Sequence, residues 1–401
     1  MSEPPPPHDP TSRARRERRR IDRDRNPSYL GPGQARFVAV IMAGGQGQRF
    51  WPLSTAERPK QFVDLEGTGR TLLQATFDRL LPLTGHPKRM YVATASRYSK
   101  LVLEQLPDLP DSNLIVEPTG RDSGPAIALA MLSLQDRHRD EVIGVFSSDH
   151  RIANVMGFQA TVRDASAMAQ RLDGLITIGI TPSHPATAYG YVELADPIDH
   201  GYRVARFVEK PAQERAQAYL SSGRFLWNAG IFISRPATML EEFARHAPDV
   251  VVPLREALAR GNLAEAFPKL PKISVDYAVL ERSERVYTVP GTFGWDDIGD
   301  WVALERLVGR HSHDPSNTVV GRHVGHHAAG NIIYTEDPKD VVVTIGVEDL
   351  VIVKRGNTVL LVRKDRIAEI KHVLEDERLE WLREGTAGSE PAQARGEDTT
   401  D

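Results

Sequence analysis

The stretch VAVIMAGGQGQRFWPLSTAERPKQF, Val38–Phe62, decides how the rest of the chain is read. Phe37–Met42 is a short continuous apolar run with turn residues behind it, the pattern of a strand buried on both faces of a parallel sheet. Gly44, Gly45 and Gly47 then stand at the carboxyl end of that strand, where open α/β sheets bind ligands. Lacking Cβ atoms, they let backbone N–H groups approach an anion, and Arg49 and Lys60 add formal positive charge. A dinucleotide-binding loop needs a small third residue, but Phe50, Trp51 and Pro52 follow. A Walker loop ends in Gly-Lys-Ser/Thr, and that ending is missing. The reading left is a long irregular loop folded over a triphosphate, with a tight turn carrying surface charges as the plainer alternative.

With 401 residues, 40% of them hydrophobic, and a net charge of -4, the chain has enough apolar side chains for two cores. The near-neutral balance argues against a nucleic-acid partner, which would call for a dominant basic face. There is no cysteine, so disulfides and thiolate metal sites are excluded, which fits a cytoplasmic protein. The longest apolar stretch, Val341–Val353, is interrupted by Glu348 and Asp349, so no membrane span is expected. Residues 1–36 are rich in proline and then arginine, lack an apolar h-region, and read as a disordered extension rather than a secretory signal. Residues 385–401 read as a flexible tail.

Between these ends strands and helices alternate: TLLQATFDRLLPL helical, RMYVATA a strand, NLIVEPTG a short strand and loop, GPAIALAMLSLQD a helix, EVIGVFSSDH a buried strand. That rhythm predicts a Rossmann-like α/β sheet with helices on both faces. From Gly174 the texture suggests mixed or antiparallel strands that extend the sheet and house an acceptor pocket. After Trp301 and a linker containing HSHDPSN, Asn317–Ile370 is a series of β-branched runs punctuated by glycine, suited to β-helical rungs. The expected division is a catalytic domain over 37–310 and a small all-β domain over 315–373.

Asp149 closes a buried strand on the same rim as the glycine loop, the place for a carboxylate ligand of magnesium; capping the next helix is the alternative. Asp296, Asp297 and Asp300 lie among glycines and tryptophans in FGWDDIGDW, where buried acids call for a cation or for backbone N–H partners. In FVEKP, the proline turns the chain so that Glu209 and Lys210 could both enter a pocket, a carboxylate for hydroxyls and an ammonium for a phosphate. Gly190, Asn228 and Gly230 would let a sugar ring come close. The histidines show no metal spacing, and no serine sits in a nucleophile elbow.

As a group, AGGQGQRFWPLS with RPKQF, EPTGRDSGPAIALA, SSDH, ATAYGYVE, FVEKP, FLWNAGIFISR, SVDYAVLE and GWDDIGDW resemble, in order, the mannose-1-phosphate guanylyltransferases of the sugar-nucleotidyltransferase superfamily, over roughly Phe37–Lys371. The resemblance implies a nucleotidyltransferase fold followed by a left-handed β-helical domain. It implies a Mg2+-assisted guanylyl transfer from GTP to α-D-mannose 1-phosphate, giving GDP-mannose, a polysaccharide precursor, and pyrophosphate. By the same resemblance Arg49 and Lys60 bind the GTP phosphates, and Asp149 and Asp297 hold the metal. Lys210 and Glu209 meet the sugar 1-phosphate, Asn228 and Gly190 the hexose, and Glu117, Gly120 and Asp122 lie beside the guanine. Gln48 stands where the family often has threonine, and GRDSGP replaces the commoner Gly-Arg-Asn-Thr-Ala-Pro, so Asp122 has two options, reading the base or capping a helix. The isomerase domain of longer bifunctional relatives is not in this sequence, which implies a monofunctional chain. Another hexose or heptose 1-phosphate, or a sugar-nucleotide sensor without turnover, are the rival readings. The oligomeric state is left open, a homodimer being one option.

Overall fold

The strand Phe37–Met42 has a parallel neighbour on each side, which is why an unbroken apolar run can stand there. The computed structural model describes residues 37–45, 48–308 and 314–376. Gly47, the extension before residue 37 and the tail after residue 376 lie outside the described residues.

The strands β1 (Phe37–Met42), β2 (Met90–Ala95), β3 (Leu114–Glu117) and β4 (Val142–Ser147) are parallel, in the spatial order β3-β2-β1-β4. Successive residues of β1 serve opposite faces. Phe37, Ala39 and Ile41 join a core with the helices Leu72–Thr84 and Val155–Leu172, while Val38 and Val40 join one with Ser123–Leu134, Pro236–His246 and Pro248–Arg260. The expected helices on both faces are present.

After the two-residue β5 (Arg151–Ile152), the sheet continues with β6 (Leu175–Ile180), β7 (Tyr191–Ile198), β8 (Gly201–Val208), β9 (Phe225–Ser234) and β10 (Val286–Gly291), in the order β4-β9-β6-β10-β8-β7. β9 runs antiparallel to both β4 and β6, and its first residues also pair with β7. β11 (Trp295–Asp296) pairs antiparallel with β5, Trp295 opposite Ile152 and Asp296 opposite Arg151. This small ribbon ties the segment after β10 to the end of β4.

Trp301 opens a helix, Trp301–Val308, before the small domain begins. The small domain is built of β12 (Thr318–Val320), β13 (Arg322–His326), β14 (Ile332–Thr335), β15 (Val341–Ile345), β16 (Leu350–Arg355) and β17 (Thr358–Arg363). β12, β14 and β16 stack in parallel, β13 and β15 form a second parallel pair, and β17 closes the first sheet antiparallel. Each pass of the chain thus adds one strand to each sheet, as β-helical rungs do. An asparagine ladder marks the repeat: Asn317 Oδ1 accepts from Asn331 N (3.0 Å) and Nδ2 (2.9 Å), and Asn331 Oδ1 accepts from Leu350 N at 3.0 Å.

The two parts belong to one compact unit and share a core. Phe50, Trp51 and Leu53 from the loop after β1 pack with Ile298, Trp301 and Leu304 and with Ile332, Tyr334 and Val353 of the small domain. Trp301 is fully buried, its ring 5.1 Å from that of Phe50 and 5.7 Å from that of Tyr334. Arg355 donates to the carbonyl of Pro52 at 2.8 Å, and the Tyr334 hydroxyl to that of Asp64 at 2.7 Å. The small domain is a buttress for the loop. Trp301→Ala is expected to cost about 3–5 kcal/mol, the usual loss for a buried large aromatic, read as a lowered denaturant midpoint.

Candidate functional site

Loops from the carboxyl ends of β1, β3 and β4 meet the outer strands around a cleft of about 230 Å3. Ser147, His150, Tyr189, Gly190, Glu209, Asn228, Asp276 and Asp297 are among its lining residues. It lies where the all-parallel half of the sheet gives way to the mixed half, in which β9 is antiparallel to β4 and β6 while β6 and β10 are parallel.

Lys60 organises one end. Its side chain is buried, and Nζ lies 3.0 Å from Asp149 Oδ2, 3.0 Å from the carbonyl oxygen of Asp297 and 2.9 Å from that of Ile298. All three donors of the ammonium are therefore taken by protein. The sequence reading sends Lys60 to a phosphate; in this structure it is a strut between the end of β4 and the segment after β11. The physical reason is the β5–β11 ribbon, which presents two backbone carbonyls beside Asp149. Asp149 does not cap the next helix: Asn154 does, accepting from Gly157 N at 3.0 Å.

Burial pushes the Asp149 carboxyl up, but Lys60, His150 and the Ser147 hydroxyl outweigh it and hold the group well below the usual carboxylate range. His150 moves the other way. Burial, with help from Lys60 and Arg79, brings it down to about 4 against the pull of Asp149 and Asp297, so the ring is neutral at pH 7. Trp295 Nε1 donates to His150 Nδ1 at 3.2 Å, which puts the imidazole proton on Nε2. Of the three aspartates of FGWDDIGDW only Asp297 faces the cleft, accepting from the Tyr189 hydroxyl at 2.8 Å. Asp296 receives Ile298 N at 2.8 Å, and Asp300 caps the following helix through Ala303 N at 2.9 Å.

The glycine loop is held from below by Gln61, whose amide donates to the carbonyls of Ala43 (3.1 Å) and Gly45 (2.9 Å). Gln61 went unremarked in sequence, since a polar residue in a loop carries no periodicity to betray its burial. Arg49 is exposed on the short turn Gln48–Phe50. At the end of β3 the buried Glu117 lies under Gly44, and burial pushes its carboxyl up to about 7. Asp122, φ 70°, uses its carboxylate on Ser123 N at 2.8 Å and so caps the helix Ser123–Leu134. Gly120 is exposed beside it.

At the opposite end, Glu209 lines the cleft while Lys210, φ 46°, turns back so that its Nζ reaches Glu209 Oε1 at 2.9 Å. A Cβ on Gly190 would stand 2.5 Å from Glu209 Oε2, so glycine leaves that carboxyl its place. Asn228 is held on both sides: Oδ1 accepts from Thr177 Oγ1 (2.6 Å) and Gly230 N (3.2 Å), and Nδ2 donates to Asp276 Oδ1 at 3.0 Å. Asp276 belongs to the SVDYAVLE motif but received no role from sequence. Burial, then the charge of Glu209, pushes its carboxyl up to about 7 against the pull of Lys210.

The nucleotidyl transferase family model matches residues 38–310, and the MannoseP isomerase/GMP-like β-helix domain model residues 321–376. Mannose-1-phosphate guanylyltransferase ManC of Salmonella typhimurium is 37% identical over 361 residues, 85% of this chain and 73% of that protein. The chain belongs to the mannose-1-phosphate guanylyltransferase family. A second member, from Escherichia coli K12, is also 37% identical over 361 residues, with the same coverage. A solved structure described as mannose-1-phosphate geranyltransferase from Thermus thermophilus is 38% identical with a TM-score of 0.78, covering 86% of this chain and 99% of that one.

In this mannose-1-phosphate guanylyltransferase homologue the Lys60–Asp149 pair is also a stability device. Lys60→Met should cost about 3–5 kcal/mol at pH 7, the loss expected when one member of a buried pair is removed. Asp149 is depressed in the fold, so its contribution is complete above its unfolded value near 4 and fades as acid protonates the folded carboxylate. The gap between wild type and Lys60→Met should therefore narrow below about pH 4 in urea titrations.

Proposed function

We propose that the chain transfers the guanylyl group of GTP to α-D-mannose 1-phosphate, releasing pyrophosphate and GDP-mannose. The observation that carries this is a cleft lined by Asp297, Glu209 and Asn228, with Asp149 tied by Lys60 to the backbone of Asp297 and Lys210 paired to Glu209, on a chain of this family. The chemistry is a meeting of anions. A phosphate oxygen of the sugar, already negative at neutral pH, attacks the α-phosphorus; the new O–P bond forms as the bond to the β-phosphate oxygen breaks, and pyrophosphate leaves with the electron pair. No general base is needed, so the work of the protein is alignment and charge.

Arg49, at the open mouth of the glycine loop, meets the departing phosphates, and Lys210 the attacking one. Glu209 and Asn228 accept and donate hydrogen bonds to the hexose. Glu117 receives the guanine N1–H and N2–H, while Asp122 keeps its cap. The Lys60 ammonium keeps Asp149 ionised at the point where the triphosphate enters. The donor set at this end fits Mg2+: two hard carboxylates, Asp149 and Asp297, with no cluster of three His, Cys, Asp or Glu among the described residues, so that phosphate oxygens and water complete the shell. When bound there, the ion would neutralise charge on the phosphates.

The test is purified full-length chain with GTP, mannose 1-phosphate and Mg2+, reading pyrophosphate and GDP-mannose, alongside other nucleoside triphosphates and other hexose or heptose 1-phosphates. Tight GDP-mannose binding without pyrophosphate release would overturn the enzyme reading in favour of a sensor. Asp297→Asn keeps an acceptor for Tyr189, so turnover should fall roughly 100-fold with the thermal midpoint unchanged. Glu117→Gln should raise the KM for GTP and leave that for the sugar phosphate within twofold, since an amide cannot accept from both guanine donors.

A further inference from the structure

Asp276 and Glu209 turn their carboxyl groups into the same cleft from different parts of the chain. Their mutual repulsion is visible in Asp276, which the charge of Glu209 drives upward. Two like carboxyls facing one cavity are costly unless something there supplies hydrogen-bond donors. Lys210 satisfies Glu209 Oε1 only, leaving Oε2 beside Gly190. Asp276 also fixes the amide of Asn228. Flipping that amide would aim its NH2 at the Gly230 N–H, a donor, and its oxygen at the Asp276 carboxyl oxygen, an acceptor, so the orientation seen is the one that satisfies every group.

We propose that Asp276 is a sugar-binding residue: with Glu209 it accepts hydrogen bonds from two neighbouring hydroxyls of the hexose 1-phosphate, while holding Asn228 ready for a third. The assignment rests on the reading of this cleft as the sugar end of a nucleotidyltransferase site. A vicinal diol can offer one donor to each carboxyl, whereas the phosphate offers none and the base is assigned to Glu117. The sugar phosphate therefore relieves a repulsion already built into the cleft.

The test is Asp276→Asn in the full-length protein, an isosteric change to a neutral group that removes the repulsion and should not lower the thermal midpoint. The KM for the sugar phosphate that the wild type uses best should rise roughly 10- to 100-fold, the loss expected for a charge-assisted hydrogen bond, with the KM for GTP within twofold. One deoxy analogue of that sugar phosphate should be poor for the wild type yet carry no further penalty in the variant. An unchanged sugar KM, equal rises in both KM values, or a full deoxy penalty retained by Asp276→Asn would each overturn the proposal. Calorimetric binding of GDP-mannose to wild type and variant gives the same comparison without turnover. An inactive wild type would thus sink the function, while the outcomes that compare the two proteins sink the role of Asp276.

Discussion

The site depends on where one ammonium is placed. Lys60 reaches the core from the loop after β1 and joins Asp149, at the end of β4, to the backbone carbonyls of Asp297 and Ile298. Without it, Asp149 would be a poorly paired charge beside a neutral His150, and the segment after β11 would lose its link to the sheet rim. Removing one member of such a partly buried pair costs more than breaking an exposed surface pair, because the charge left behind is desolvated without a partner. Asp149 and Asp297, more than a hundred positions apart in sequence, are tied together by this link and by the four-residue ribbon of β5 and β11.

Much of this was legible in the chain. The run Phe37–Met42 names a doubly buried strand because only the centre of a parallel sheet tolerates unbroken apolar residues, and the helices on both faces follow from strand alternation. Asp149 was legible by position, at the end of another such strand. Lys60 was legible as a charge but not as a strut, since the acceptors that hold it are backbone carbonyls, and a carbonyl has no letter in the sequence. The same blindness hides Gln61, whose two partners are also carbonyls. Asp122 shows the reverse: its position before a helix allowed a cap as well as a base contact, and the cap is present, through Oδ1 and Ser123 N.

Asp276 escaped for a different reason. Its neighbours Val275, Ala278, Val279 and Leu280 are buried, so the motif reads as packing with one polar interruption. Only the approach of β8 and β9 from elsewhere turns that interruption toward Glu209 and Asn228. The asparagine ladder of the small domain is likewise a two-residue signal, Asn317 and Asn331, too sparse to stand out as a repeat until the rungs are stacked.

The buttress under the glycine loop also bears on how the chain reaches its final form. Phe50, Trp51 and Pro52 rest on side chains from Ile332 to Leu374, so the loop closes contacts across some three hundred residues of sequence. Such distant pairings lose more chain entropy on closing than the pairings within the β1–β4 half of the sheet, whose partners are less far apart in sequence. During synthesis the apolar underside of the loop must wait, uncovered, until the rungs emerge. The glycine loop is thus among the first segments to be made and among the last to be secured, and that interval is when it is most open to proteolysis and misassociation.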